Sequence, residues 1–81
     1  MSATIDDIRQ TIARTASLPI RELSAETPLY GSGLVSSLMM LEIMAAVEKE
    51  YSIFIRPEEL IEDHFGTIGL LHSFVNNKLR S

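Results

Sequence analysis

Two adjacent serines, Ser36 and Ser37, stand where a glycine-containing segment meets an apolar helical repeat, Gly33-Leu34-Val35-Ser36-Ser37-Leu38-Met39-Met40-Leu41-Glu42-Ile43-Met44. A hydroxyl at such a junction lies at a helix N-terminus. Free backbone N–H groups and the helix dipole there favour a phosphate that is attached or approaching. This suits a serine that is modified by another protein, not one that performs catalysis itself. From position alone, Ser37 reads better as a helix-capping residue. His64 and His72 lie far apart, with no cysteine or paired carboxylate at metal spacing, so no metal site and no catalytic residue is expected. Both rings are expected at the surface or its boundary. The acidic pairs Asp6-Asp7, Glu58-Glu59 and Glu62-Asp63 read as solvated helix charges rather than acid–base partners.

The elements that position these serines follow from composition and spacing. The chain has 81 residues, of which 46% are hydrophobic, so one folded domain over 1–81 is expected, with a modest core and little room for a deep cleft. Cysteine is absent, which excludes disulfides and thiolate metal sites and agrees with the expected cytoplasmic location. No apolar run approaches the roughly 18 residues of a membrane span. The first residues are acidic and lack the pattern of a signal peptide. A net charge of −4 argues against nucleic acid and anionic membranes, and favours partners with basic surfaces.

Thr4 is placed to cap a first helix running to about Ala16, with Ile5, Ile8 and Ile12 facing inward and Leu18-Pro19 ending it. Residues 17–35 read as a long loop containing at most a short helical turn. Leu18, Ile20, Leu23, Leu29 and Tyr30 are expected to pin it to the core. A second helix is expected over Ser37 to Tyr51. At 100° per residue, Met40, Ile43, Met44, Val47 and Tyr51 share roughly 100° of arc and form its core stripe. Leu38, Leu41 and Ala45 fall on a separate arc about 100° to 160° away, with Glu42 beside them, and Met39 is expected to be exposed. This second apolar face suggests a partner surface. Ser52 to Ile55 reads as an extended connector, and Pro57 as the first turn of a short helix through Ile61. Thr67 caps a last helix whose inner stripe is Ile68, Leu71, Phe74, Val75 and Leu79. The sum is a small all-α bundle of three main helices plus one short one, with a long loop between the first two.

At this point the chain resembles the acyl and peptidyl carrier protein family over nearly all its length. Thr27-Pro28-Leu29-Tyr30 followed by Gly33-Leu34-Val35-Ser36-Ser37-Leu38 resembles that family's approach to its attachment site, which usually reads Asp-Ser-Leu. Glu48-Lys49-Glu50-Tyr51-Ser52-Ile53 resembles the end of its second helix, and Phe65-Gly66-Thr67-Ile68 the start of its last. The resemblance implies that a phosphopantetheinyl transferase, using coenzyme A and magnesium, attaches 4′-phosphopantetheine to Ser37, the serine that directly precedes Leu38. The arm's thiol would then hold an acyl or aminoacyl group as a thioester. A loading ligase and downstream transferases are the implied partners of a monomeric carrier, meeting it through Ser36, Leu38, Met39, Leu41, Glu42 and Ala45. The second reading is a carrier-like helical adaptor that uses the same helix-2 surface and is never modified.

Two departures from the family pattern matter physically. Ser36 replaces the usual aspartate. It caps a helix about as well, but one negative charge beside the attachment point is gone. The second helix is also poor in acid, with three glutamates against one lysine between Ser36 and Tyr51, net −2. Partner docking on that helix is therefore expected to rest more on apolar contact than on salt-sensitive attraction.

Overall fold

A computed structural model describes residues 2–80. Met1 and Ser81, the ends of the expected 1–81 domain, lie outside the described residues. Four helices follow in order: α1 (Ile5–Ala16), α2 (Ser37–Tyr51), α3 (Glu62–Phe65) and α4 (Ile68–Arg80). Single 3-10 turns stand at Ile20–Glu22 and Pro57–Glu59. The described residues form no strand, and the fold is all-α, as the sequence spacing requires.

Local chemistry fixes the helix starts. The Thr4 hydroxyl accepts from the Asp7 N–H at 3.0 Å while the Asp7 carboxylate accepts from the Thr4 N–H at 2.9 Å, a reciprocal capping box. Thr67 Oγ1 accepts from the Leu70 N–H at 3.1 Å at the start of α4. The helix ends carry a less obvious signal. Both α1 and α2 stop at a serine in the left-handed conformation, Ser17 (φ 56°) and Ser52 (φ 53°), where glycine is the usual choice. Pro19 therefore follows the end of α1 rather than causing it.

The core forms where α1 packs on α2 and α4, with α3 against α4. Ile8, Ile12, Ile43 and Val47 belong to one buried cluster with Phe65, Ile68, Leu71 and Val75. Among the described residues, one polar residue enters this core. Thr11 is fully buried, and its hydroxyl lies 2.7 Å from Glu50 Oε2 and 3.1 Å from the Asp7 carbonyl. Arg14 reaches the same Glu50 oxygen at 3.0 Å, so α1 and α2 share a polar seam beside their apolar contact. The amide of Asn76 on α4 clasps Ala3 from both sides, accepting from its N–H at 2.8 Å and donating to its carbonyl at 2.9 Å.

The long loop is held chiefly through its backbone. Leu29 and Tyr30 donate to the carbonyls of Gly66 and Phe65 at 2.8 and 2.9 Å, and Ile68 and Gly69 donate back to Thr27 and Ala25 at 3.1 and 2.8 Å. A Cβ on Gly66 would sit 2.5 Å from the Glu62 carbonyl oxygen, so only glycine lets this segment pass. Leu23 and Leu29 are buried and Leu18 is half-buried, but Ile20 and Tyr30 are exposed, contrary to their expected role as core pins. Their side chains are not needed for anchoring because backbone bonds already hold the loop.

Three further expectations are corrected. Pro57 opens a single 3-10 turn instead of a short helix. Leu60 (φ −80°, ψ 78°) then makes an inverse γ-turn, with Ile61 N–H to Glu59 carbonyl at 2.9 Å, and the helix is displaced to Glu62–Phe65. Glu59 is not a solvated charge. Its side chain is 14% exposed and its Oε1 lies 2.8 Å from Lys78 Nζ. Met39 and Met44 are half-buried against the core edge, so Met39 is less exposed, and Met44 less buried, than a single stripe implies. His64 and His72 do lie at the boundary, His64 stacked on Phe74 and His72 beside the Ala3 carbonyl.

Two predictions follow from this packing. Gly66→Ala forces backbone displacement where the loop meets α4, and should lower unfolding free energy by about 1–3 kcal/mol in urea titration. The hydrogen bond from Lys78, then the backbone N–H of Arg56, holds the Glu59 carboxyl below its usual 4.5. A depressed carboxyl stabilises the fold above that pH and loses this contribution as pH falls through the folded value. Glu59→Gln should therefore lower the urea midpoint at pH 7 and flatten its decline on acidification, with wild type and variant converging at low pH.

Candidate functional site

The site begins in the loop. After Leu29 the chain turns through Gly31 (φ 77°) and Gly33 (φ 85°), a backbone region that side chains other than glycine's rarely adopt. The Ser32 hydroxyl stitches this turn, donating to the Leu29 carbonyl at 2.7 Å and accepting from the Leu34 N–H at 3.0 Å. Val35 is buried and anchors the exit. The next residue, Ser36, is extended (φ −73°, ψ 166°), and its Oγ accepts from the Met39 N–H at 3.1 Å. Ser36 is thus the N-cap of α2 and Ser37 its first helical residue.

This separates the two serines chemically. The Ser36 hydroxyl is engaged by the helix it caps. Ser37 is exposed, and no hydrogen bond engages its hydroxyl among the described residues. The N–H groups of Ser37 and Leu38 lie at the open end of the helix, where an anion is favoured. The first turn of α2 carries no acidic residue. Beside Ser37 runs an open groove of about 610 Å³ between the glycine turn, the start of α2 and Leu60. Tyr30, Val35, Met40 and Leu41 wall it, and among the described residues no charged side chain lines it.

The outer face of α2 is apolar near its start. Leu38 is 70% exposed and Leu41 51%, with Glu42 and Ala45 also exposed. Ser36, Ser37, Leu38, Leu41, Glu42 and Ala45 therefore share accessible surface, while Met39 offers only its edge. Sequence spacing did not reveal Leu60 and Tyr30 as groove walls, because the γ-turn and the loop pairing that place them depend on tertiary contacts. Among the described residues, no helix is long and apolar enough to cross a membrane, and no three His, Asp or Glu side chains cluster to hold a metal ion.

A family model described as the phosphopantetheine attachment site matches residues 6–73. The chain belongs to the phosphopantetheine attachment family. Comparison with curated proteins gives no match. Domains of this family are cofactor carriers that bear covalently attached 4′-phosphopantetheine, so this carrier domain is a phosphopantetheine-carrying protein. Its residues fit that group: an accessible hydroxyl at a helix start, open N–H groups, and a groove without charge to repel a phosphate. When bound, the group supplies a terminal thiol, the nucleophile that a cysteine-free chain lacks.

The division between the two serines predicts unequal effects on stability. Ser36→Ala removes the cap and should cost about 1 kcal/mol in thermal or urea unfolding, while Ser36→Asp should preserve stability. Ser37→Ala removes no hydrogen bond and should stay within about 0.5 kcal/mol of wild type.

Proposed function

We propose that this chain works as one carrier domain in which Ser37 bears the phosphopantetheine arm, and that the arm holds an acyl or aminoacyl group as a thioester. The observation that carries this reading is the exposed, unengaged Ser37 hydroxyl at the head of α2, beside a Ser36 hydroxyl already committed to capping. In the modification, the Ser37 oxygen bonds to the phosphorus that bears pantetheine in coenzyme A. The pyrophosphate bridge of coenzyme A breaks, adenosine 3′,5′-bisphosphate leaves, and the serine proton passes to a base of the transferase.

The chain's own residues have three tasks. The Ser36 cap and the glycine turn hold Ser37 at a fixed, accessible point. The groove walls give the root of the arm an apolar bed. Leu38 and Leu41, with Ser36, Glu42, Ala45 and the edge of Met39, form the surface met by the phosphopantetheinyl transferase, the loading ligase and the downstream transferases. A cytoplasmic, monomeric carrier fits the cysteine-free composition and the modest apolar patch. Tethering raises the effective concentration of cargo at each enzyme without adding a catalytic group to this chain.

Incubation with a broad-range phosphopantetheinyl transferase, magnesium and coenzyme A, read by intact mass, tests the assignment. Wild type and Ser36→Ala should each gain one arm, and Ser37→Ala none. Modification that persists in Ser37→Ala would move the site. A bare wild type, under conditions that modify a control carrier, favours the unmodified adaptor. Ser36→Asp should be modified faster than wild type, because it restores a carboxylate for a basic transferase surface.

A further inference from the structure

A second groove lies across Tyr30 from the one beside Ser37. The two share Tyr30 and Gly31 as lining residues. It encloses about 600 Å³ over the junction of the loop, α3 and α4. Pro28, Tyr30 and Leu70 give it apolar walls, and Tyr30 and Leu70 are exposed. Among the described residues, its charged lining is Glu62 and Asp63.

The carboxylates of the molecule are not equally available. On α2, Glu48 Oε2 accepts from the Ile55 N–H at 2.8 Å, and Glu50 is bound by Thr11 and Arg14. Glu42 is what remains on that helix for a partner. In the turn before α3, Arg56 lies near Glu58, and Lys78 pairs with Glu59. Glu62 and Asp63 are both exposed, and neither forms an ion pair among the described residues. Two adjacent carboxylates without an ion pair therefore line the groove that adjoins the one beside Ser37, while α2 offers Glu42.

We propose that this groove is the docking site for a basic and apolar surface of the enzyme that modifies Ser37. The inference rests on the reading of Ser37 given above. An enzyme that brings coenzyme A to the Ser37 hydroxyl must cover the residues around it, and the shared Tyr30 and Gly31 continue that covered area into the second groove. An enzyme that holds a polyphosphate presents positive charge around its mouth. Glu62 and Asp63 complement that charge, and Tyr30 and Leu70 complement an apolar neighbour. The salt-sensitive part of recognition thus sits at the start of α3, and the start of α2 contributes apolar contact.

The probe is a broad-range phosphopantetheinyl transferase with coenzyme A, its kcat/KM read by time-resolved intact mass. Measurements at about 0.01 M and about 1 M salt set the screening length near ~30 Å and ~3 Å. E62K/D63K should lower kcat/KM about tenfold at low salt, through KM, with the difference vanishing at high salt. E62Q/D63N, which keeps side-chain size, should fall between that variant and wild type. E22K/E26K, which also reverses two charges, at exposed positions that line neither groove, should stay within twofold. Circular dichroism checks that each variant is folded, and E62Q/D63N carries the test if the double lysine is not. Equal rates for wild type and the 62/63 variants at low salt overturn the docking site and leave the assignment of Ser37 intact. A larger loss from E42K than from E62K/D63K also overturns it, placing the charge on α2. A wild type that gains no mass overturns the Ser37 reading and this inference with it.

Discussion

The backbone pairing between residues 27–30 and 65–68 is the constraint on which the site depends. It joins the middle of the long loop to the start of the last helix, and it needs no particular side chain except the glycine at 66. Once it is in place, Leu29 is buried and the chain must turn back through Gly31 and Gly33 to reach α2. Val35 fixes that return, and Ser36 begins the helix. A loop of this length would otherwise place Ser37 over a wide volume. Here the residue stands at a defined point, with grooves on both sides of Tyr30.

α2 divides its surface between two kinds of work. Met40, Ile43, Val47 and Tyr51 enter the core, while Leu38 and Leu41 stay in water. Each exposed leucine forgoes the roughly 1.5–3 kcal/mol that burial would contribute. That cost is offset wherever a partner covers it. The helix also commits two of its three acidic residues to intramolecular hydrogen bonds: Glu48 holds the connector after the helix, and Glu50 joins the polar seam with Thr11 and Arg14. A stable bundle and an electrostatically quiet start of α2 thus arise from the same choices. Capping by serine instead of aspartate extends that pattern to the residue next to Ser37.

Much of this was legible in the sequence because local rules governed it. α2 runs Ser37–Tyr51 as its apolar spacing requires, and Thr4 and Thr67 cap α1 and α4 through the expected hydroxyls. The four fragments that carry the family resemblance lie within, or at the edges of, the segments that build the site. What could not be read was set by contacts distant in sequence. A helical wheel assumes one buried face, yet α2 touches both α1 and α4, so Met39 is half-covered and Met44 half-open. Pro57 signalled a helix start, but the inward Leu60 and the Glu59–Lys78 pair close the turn after three residues. Glu59 looked solvated because its partner lies 19 positions along the chain. Leu60 and Tyr30 gave no periodic signal, since a γ-turn and a loop pairing place them.

The fold and the family together make this chain a carrier, and its chemistry then reduces to which oxygen bears the arm. Fragment mass spectrometry of the protein isolated from its own cells, while its pathway is active, addresses that directly. The account predicts one phosphopantetheine, localised to Ser37 and absent from Ser36. A chain that is always bare, or an arm found on Ser36, would contradict it.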